Sequence, residues 1–175
     1  MCIRDRHTII TLAGLSVFGL AASIATPAVG APPIGAAALA NANVTIITPI
    51  GLAKTADLNF GQVVAHSGGQ VIIAPNSTRT VGGSAEAVPA SSSSAATFAV
   101  TGNGSNTYAI TLPTSTTLTS NSNTITVDNF TSTPSGTGAL SSGAQTVQVG
   151  ATLEVGSAQA AGNYTGTFNV YVQYN

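Results

Sequence analysis

The chain has 175 residues, of which 5% are charged and 5% aromatic, with one cysteine and no tryptophan. Lysine and arginine together number 4 against 5 acidic residues, so the sequence offers no basic surface for the phosphate backbone of a nucleic acid. A chain of this length fits one domain with a sizeable core.

Residues 1–30 have the pattern of an export signal. Arg4 and Arg6 precede an apolar stretch over residues 8–25, and small residues follow it. The alternative is an uncleaved membrane anchor, since the apolar stretch approaches the roughly 20 residues that cross a bilayer. We predict a cleaved signal, with processing between residues 23 and 31 and export to the periplasm, the cell surface or the medium. Cleavage also removes Cys2, so no disulfide or thiol site remains.

Residues 31–42 are rich in alanine, contain two prolines and are predicted to be a leader or linker. A single domain is predicted over residues 43–175. Its first strand is predicted where apolar side chains alternate, at Val44, Ile46, Ile50 and Leu52. Pro49 interrupts that strand, which favours an edge position or a bulge. A second strand is predicted to begin at Leu58 and Phe60 and to bend at Gly61.

The middle of the domain continues this alternation of strands and turns. Residues 71–74 and 78–81 are predicted to be short strands on either side of a turn at Pro75 and Asn76. Residues 86–95 contain a run of serines and a proline, and are predicted to be a mobile loop.

Two strands are predicted at residues 97–100 and 107–112, joined by a hairpin connection at residues 102–106. Alternation predicts five inward side chains in these strands: Phe98, Val100, Tyr108, Ile110 and Leu112. Further strands are predicted at residues 123–130 and 144–155, with a turn-rich segment at residues 134–138.

The last fourteen residues, 162–175, alternate along most of their length and predict a half-buried strand. The predicted inward face carries Tyr164, Phe168, Val170, Val172 and Tyr174. The predicted outward face carries Thr165, Thr167, Asn169, Tyr171 and Gln173. Since the bulky face continues to the penultimate residue, the C-terminus is predicted to dock inside a sheet.

These elements together predict an all-β fold. No segment after the signal carries a convincing helical stripe, and turn signals recur about every ten residues along the domain. Eight to ten short strands with this spacing indicate an antiparallel β-sandwich of two sheets.

Groups suited to catalysis are few and scattered. The four carboxylates that remain after signal removal, Asp57, Glu86, Asp128 and Glu154, form no motif and are expected to be solvated charges and not a glycosidase pair. His66 is expected to be a turn residue, because no Gly-x-Ser-x-Gly elbow accompanies it and one histidine does not make a zinc site. We therefore assign no catalytic, cofactor-binding or metal residue, and predict neither a cofactor nor enzymatic activity.

The order of several short segments resembles that of a known family. The segments are KTADLNFG at 54–61, ATFAVTG at 96–102, YAITLP at 108–113, PSGTG at 134–138, VGATL at 149–153 and AGNYTGTF at 161–168. They resemble a family of exported bacterial domains of unknown function, which is itself similar to spore coat protein U and to fimbrial subunits. The resemblance spans about residues 43–175. It implies an immunoglobulin-like antiparallel β-sandwich, Gram-negative export and a role at the cell surface or in a pilus.

The sequence therefore predicts a secreted, non-enzymatic structural protein of the bacterial surface, such as a fimbria-like or coat subunit. Its expected partners are further copies of itself or other pilus or coat subunits. The alternative function is an adhesion or polysaccharide-binding module for a surface glycan, which would use loops such as residues 86–95. Tyr171 points outward in the predicted last strand and suits a sugar-stacking surface. Fimbrial subunits also carry an alternating N-terminal extension that fills a neighbour's groove, whereas the leader here offers only Ile34 and Leu39 as bulky groups.

Overall fold

The computed structural model describes residues 35–175, so the predicted export signal and Cys2 lie outside the described residues. The chain divides into two compact units, Met1–Asn43 and Val44–Asn175. In the first unit, residues 35–43 are exposed and form no regular secondary structure. Within residues 35–175, no helix is long and apolar enough to cross a membrane.

The second unit is all-β, and its strands pair only in antiparallel fashion. The ten strands are β1 (Gly51–Ala56), β2 (Val63–Ile73), β3 (Arg79–Ala87), β4 (Ala96–Thr101), β5 (Thr107–Thr111), β6 (Ser115–Ser120), β7 (Asn123–Thr133), β8 (Thr137–Ala139), β9 (Ala144–Val155) and β10 (Tyr171–Tyr174). The predicted antiparallel β-sandwich is confirmed.

Strand β9 organises the larger, seven-stranded sheet. One edge of β9 pairs with β7, while the other edge pairs first with β4 and then with β2. Strands β1, β3 and β6 extend this sheet beyond β4, β2 and β7. The smaller sheet has three strands in the order β10-β5-β8.

The change of neighbour along β9 occurs at Gly150. Its predecessor Val149 pairs with Ala96 of β4, and its successor Ala151 pairs with Ile73 of β2. A Cβ at Gly150 would collide with the carbonyl oxygen of Ile73 and would lie 2.8 Å from the carbonyl carbon of Ala74. Only glycine allows the backbones to approach this closely.

The sandwich contains two apolar cores, one along each half of β9. The core we call the covered core includes Phe98, Tyr108, Ile110, Val147 and Val149, and here the smaller sheet packs on the larger one. The core we call the uncovered core combines side chains of β2, β7 and β9, including Val71, Ile73, Val127, Leu153 and Val155. No buried member of the uncovered core comes from β5, β8 or β10, so the second sheet extends over only half of the first.

The predicted first strand is wrong in its N-terminal part. Strand β1 begins at Gly51, which pairs with Thr101, the last residue of β4. Residues 44–49 therefore extend beyond the end of β4, the strand that pairs with β1, and Pro49 lacks an N–H group for a ladder. The predicted second strand is also absent, because Gly61 adopts a left-handed φ of 78° and Asn59 forms only an isolated bridge with Ser94.

The predicted hairpin at residues 102–106 is also wrong. Residues 102–106 instead connect β4 in the larger sheet to β5 in the smaller one, so these two strands face each other across the covered core. The inward pattern itself is confirmed for Phe98, Val100, Tyr108 and Ile110, all of which are buried. Alternation of apolar and polar residues shows which side chains of a strand are buried. It does not show whether two successive strands pair with each other or lie in opposite sheets.

The faces of the C-terminal segment are confirmed, although little of it is a regular strand. Its predicted inward side chains are all buried or half-buried, and its predicted outward ones are all exposed. Only β10 pairs regularly, with β5, while Thr165 forms an isolated bridge with Thr119 of β6. The tail therefore crosses from the larger sheet to the smaller one and contacts both.

Candidate functional site

The carboxylates considered in the sequence do not converge on one site. Asp57 forms an exposed ion pair with Lys54. Asp128 accepts a hydrogen bond from the side-chain amide of Asn129 at 2.9 Å. Glu154 is exposed on β9. Asp128 and Glu154 are diagonal neighbours on the paired strands β7 and β9, opposite Thr152 and Thr126, whereas Asp57 precedes β2 and is paired with Lys54.

His66 lies on β2 opposite the adjacent strand β3. Its Nε2 atom is 3.4 Å from Oε2 of Glu86, and both side chains are exposed. His66 is thus a strand residue beside a bulge and not the predicted turn residue. Within the described residues, no group of three or more His, Cys, Asp or Glu side chains is arranged to hold a metal ion.

The loop predicted over residues 86–95 is shorter and better anchored than expected. Its first two residues belong to β3. The half-buried Arg79 donates hydrogen bonds to the carbonyl of Phe60 at 3.2 Å, to Oγ of Ser91 at 2.8 Å and to the carbonyl of Val88 at 2.8 Å. A guanidinium has five donors in a fixed plane, which allows one side chain to fasten two segments. Sequence reasoning counted Arg79 only as a charge and missed this role.

A groove of about 1010 Å³ lies above the uncovered core. Its floor is formed by the buried side chains Val127, Leu153 and Val155, and its rim by the half-buried Leu58, Leu118 and Tyr164. The volume matches the upper end of ligand pockets, about 300–1,000 Å³. The groove is therefore large enough to accept several apolar side chains.

The groove follows from the incomplete second layer. Irregular segments border it where a second sheet would otherwise lie, namely residues 57–62 and 159–168. Beyond the isolated bridge between Thr119 and Thr165, residues 166–169 form no backbone–backbone hydrogen bond with another described residue, and the carbonyl of Thr167 accepts a bond from Thr116 Oγ1. One border of the groove thus presents unpaired backbone, which is a template for an added strand. Leu118 was missed in the sequence because β6 carries a single apolar side chain.

An exposed apolar segment precedes β1. Val44 and Ile46 expose 87% and 90% of their surface, although full burial of such side chains is worth about 1.5–3 kcal/mol each. The carbonyl of Thr48, two residues further along, accepts a hydrogen bond from the Tyr174 hydroxyl at 3.0 Å. The segment is therefore attached to the domain at its C-terminal end while its apolar side chains remain without contacts that bury them.

A second, smaller hollow of about 320 Å³ lies beside β10. Tyr171, which is 63% exposed, stands at this hollow together with Thr111, Pro113 and Asn169. Phe168 and Leu112 also line it, and none of the lining residues is charged. The outward orientation predicted for Tyr171 is confirmed.

Residues 50–174 match the model of a family described as a domain of unknown function, DUF4402. No curated protein and no solved structure matches the chain. The family match begins just after the exposed segment with Val44 and Ile46 and covers the whole sandwich from β1 to β10. The chain therefore belongs to the DUF4402 family of domains of unknown function.

Proposed function

We propose that this protein is an exported, non-enzymatic structural protein of the bacterial cell surface, a subunit of a fimbria-like or coat assembly. In this proposal, copies associate when the exposed segment before β1 of one copy enters the groove of another. The observation that carries the proposal is the presence, in one chain, of an apolar groove over which no second sheet lies and an exposed apolar segment.

The two surfaces are complementary in chemistry and size. Residues 42–50 contain no charged side chain, and the groove floor is aliphatic. Residues 35–48 span about 46 Å when extended, at about 3.3 Å per residue, which exceeds the length of any strand in the domain. An inserted segment would bury Val44 and Ile46 and would pair with those backbone groups of residues 166–169 that have no backbone partner, as in recognition by strand addition.

Segments 54–61, 96–102 and 161–168 resemble a family of exported bacterial domains that is itself similar to spore coat protein U and to fimbrial subunits, and this resemblance supports the same role. The signal-like pattern of residues 1–30 supports export. The leader is also longer and more apolar than the sequence suggested, because Val44 and Ile46 are not part of β1.

Size-exclusion chromatography of the purified protein tests association. The double variant Val44→Ser, Ile46→Ser is expected to shift oligomers to monomers without altering the thermal melt, because these side chains are exposed in the single chain. Val81→Ser is the matched control, since Val81 is 47% exposed on β3 and lies outside the groove. Equal oligomer content in the double variant and the wild type would contradict the proposal.

Disulfide trapping tests the position of the segment. Two proteins are prepared without Cys2, one with Ile46→Cys and the other with Leu118→Cys at the groove rim, and are mixed under oxidising conditions. We expect a heterodimer in preference to either homodimer. A control pair that combines Ile46→Cys with Val81→Cys should not cross-link, and equal yields from both pairs would argue against insertion.

A further inference from the structure

We propose that the hollow beside Tyr171 is a binding site for a neutral hexose unit of a polysaccharide. This goes beyond the assembly role and does not rest on it. The hollow shares Thr116, Thr167 and Phe168 with the lining of the groove, whereas Thr111, Asn169 and Tyr171 line the hollow alone.

The aromatic ring of Tyr171 is the first element of the proposed site. Tyr171 begins β10 and pairs with Thr111 of β5, so the strand ladder fixes its backbone while its side chain stays 63% exposed. One face of a pyranose ring carries C–H groups and stacks on an aromatic face, while its hydroxyls remain at the edge. Tyrosine suits this contact because it combines a flat apolar ring with a polar tip.

The polar groups around the ring are neutral and close to backbone that has no backbone partner. Thr111 and Asn169 line the hollow, and residues 166–169 form no backbone–backbone hydrogen bond with another described residue. Thr116 Oγ1 donates to the carbonyl of Thr167 at 2.7 Å, which holds the wall of the hollow in place. These donors and acceptors can satisfy sugar hydroxyls, as the few polar groups of a ligand site do.

The absence of charge from the lining determines the class of sugar. An acidic sugar would bring a carboxylate to a site whose lining residues offer no cation, and an unpaired charge is costly to desolvate. The volume of about 320 Å³ lies at the lower end of ligand pockets, about 300–1,000 Å³. The site therefore fits one or two sugar rings of a neutral glycan and makes few contacts with the rest of the glycan.

The test is a ¹H–¹⁵N NMR titration of the purified protein with maltohexaose, cellohexaose and mannohexaose, and with a galacturonic acid hexamer as the acidic counterpart. At least one neutral hexamer is expected to shift the amides of residues 109–113 and 167–172 saturably. Tyr171→Ala should weaken that binding at least about tenfold, equal to about 1.4 kcal/mol. Tyr171→Phe should lose less affinity, because it keeps the aromatic ring. Val81→Ala on β3 should bind the hexamer with wild-type affinity.

Three outcomes would overturn the proposal: no saturable shift with any neutral hexamer, tighter binding of the acidic hexamer, or wild-type affinity in Tyr171→Ala. The Tyr171→Ala protein is also run in the size-exclusion assay. Its oligomer content should equal that of the wild type, so failure of the sugar site is distinguished from failure of the assembly proposal.

Discussion

The buried hydroxyl of Tyr108 donates a 2.6 Å hydrogen bond to Oε1 of Gln145. Tyr108 belongs to β5 in the smaller sheet and Gln145 to β9 in the larger one, so this bond connects the two sheets through the covered core. The same Oε1 atom accepts the backbone N–H of Ala139 in β8 at 3.0 Å. Burial raises the pKa of the Tyr108 hydroxyl above its usual value.

Replacing Tyr108 with phenylalanine removes this connection and keeps the ring in the core. The Gln145 oxygen retains its bond from Ala139, so the expected loss in the free energy of unfolding is about 1 kcal/mol. Urea denaturation at pH 7 measures it. Tyr171→Phe is the control, because Tyr171 is exposed, and it should leave the midpoint unchanged. A loss of the same size in both variants would refute the role of the inter-sheet bond.

The raised pKa of Tyr108 predicts a dependence on alkaline pH. The folded state holds the proton more tightly than the unfolded chain, in which a tyrosine titrates near pH 10. The stabilising contribution is therefore fully present below about pH 10 and is lost as the pH rises through the folded pKa. The stability difference between the wild type and Tyr108→Phe should shrink as the pH rises above about 10, and a constant difference would contradict the prediction.

Deletion of residues 162–175 should prevent folding. The deleted side chains Tyr164, Phe168, Val170, Val172 and Tyr174 are half-buried or buried and contribute roughly 4–8 kcal/mol at about half of full burial. This is comparable to the total stability of a typical domain, about 5–15 kcal/mol. A chain lacking residues 31–41 should instead melt as the wild type does. A cooperative, unchanged melt after the C-terminal deletion would refute the idea that the tail closes the sandwich.

Arg79→Ala should release the loop that follows β3. The three hydrogen bonds of Arg79 to Phe60, Val88 and Ser91 are lost, at a cost of about 2 kcal/mol for a half-buried charged donor. Hydrogen exchange should accelerate at residues 88–95 and 60–62 and remain unchanged in β5. Lys54→Ala is the control, because the exposed pair with Asp57 is worth about 0–1 kcal/mol. Uniform exchange changes across the domain would argue against a local anchor.

Gly150→Ala should be among the most destabilising single substitutions in the domain. The added methyl group would collide with the carbonyl of Ile73 and with Ala74 where β9 changes neighbours, and crowding of this kind costs about 1–3 kcal/mol or more. Gly156→Ala is the matched control at the end of the same strand, where the nearest group is the side-chain tip of Gln159. Thermal melts compare the two, and equal effects would show that backbone proximity at Gly150 is tolerated.

The sequence predicted burial well and strand partners poorly. The inward orientation was predicted correctly for Phe98, Tyr108 and Val170, because alternation of apolar and polar residues directly indicates which face of a strand is buried. The partner of each strand depends on contacts distant in sequence, so the pairing of β9 with β2, β4 and β7 left no local signal. Strand β6 was missed for a related reason, since Leu118 is its single apolar residue and β7 supplies its partner.

The candidate site was the least predictable part. The groove exists because the second sheet does not extend over the uncovered core. The residue pattern of a strand does not indicate how far the opposite sheet extends. Val44 and Ile46 alternate as strand residues do, yet they lie beyond Thr101, the end of β4, the strand that pairs with β1. Tyr171 was located correctly because its exposure follows from the alternation of β10 alone.

The position of β9 in the chain has a consequence for folding kinetics. The pairs β2–β3, β6–β7 and β1–β4 join into one sheet only through β9, which ends at Val155. Nearly the whole polypeptide must therefore be available before the larger sheet can assemble. Because loop closure over such separations is slow, folding is expected on the scale of about milliseconds to seconds.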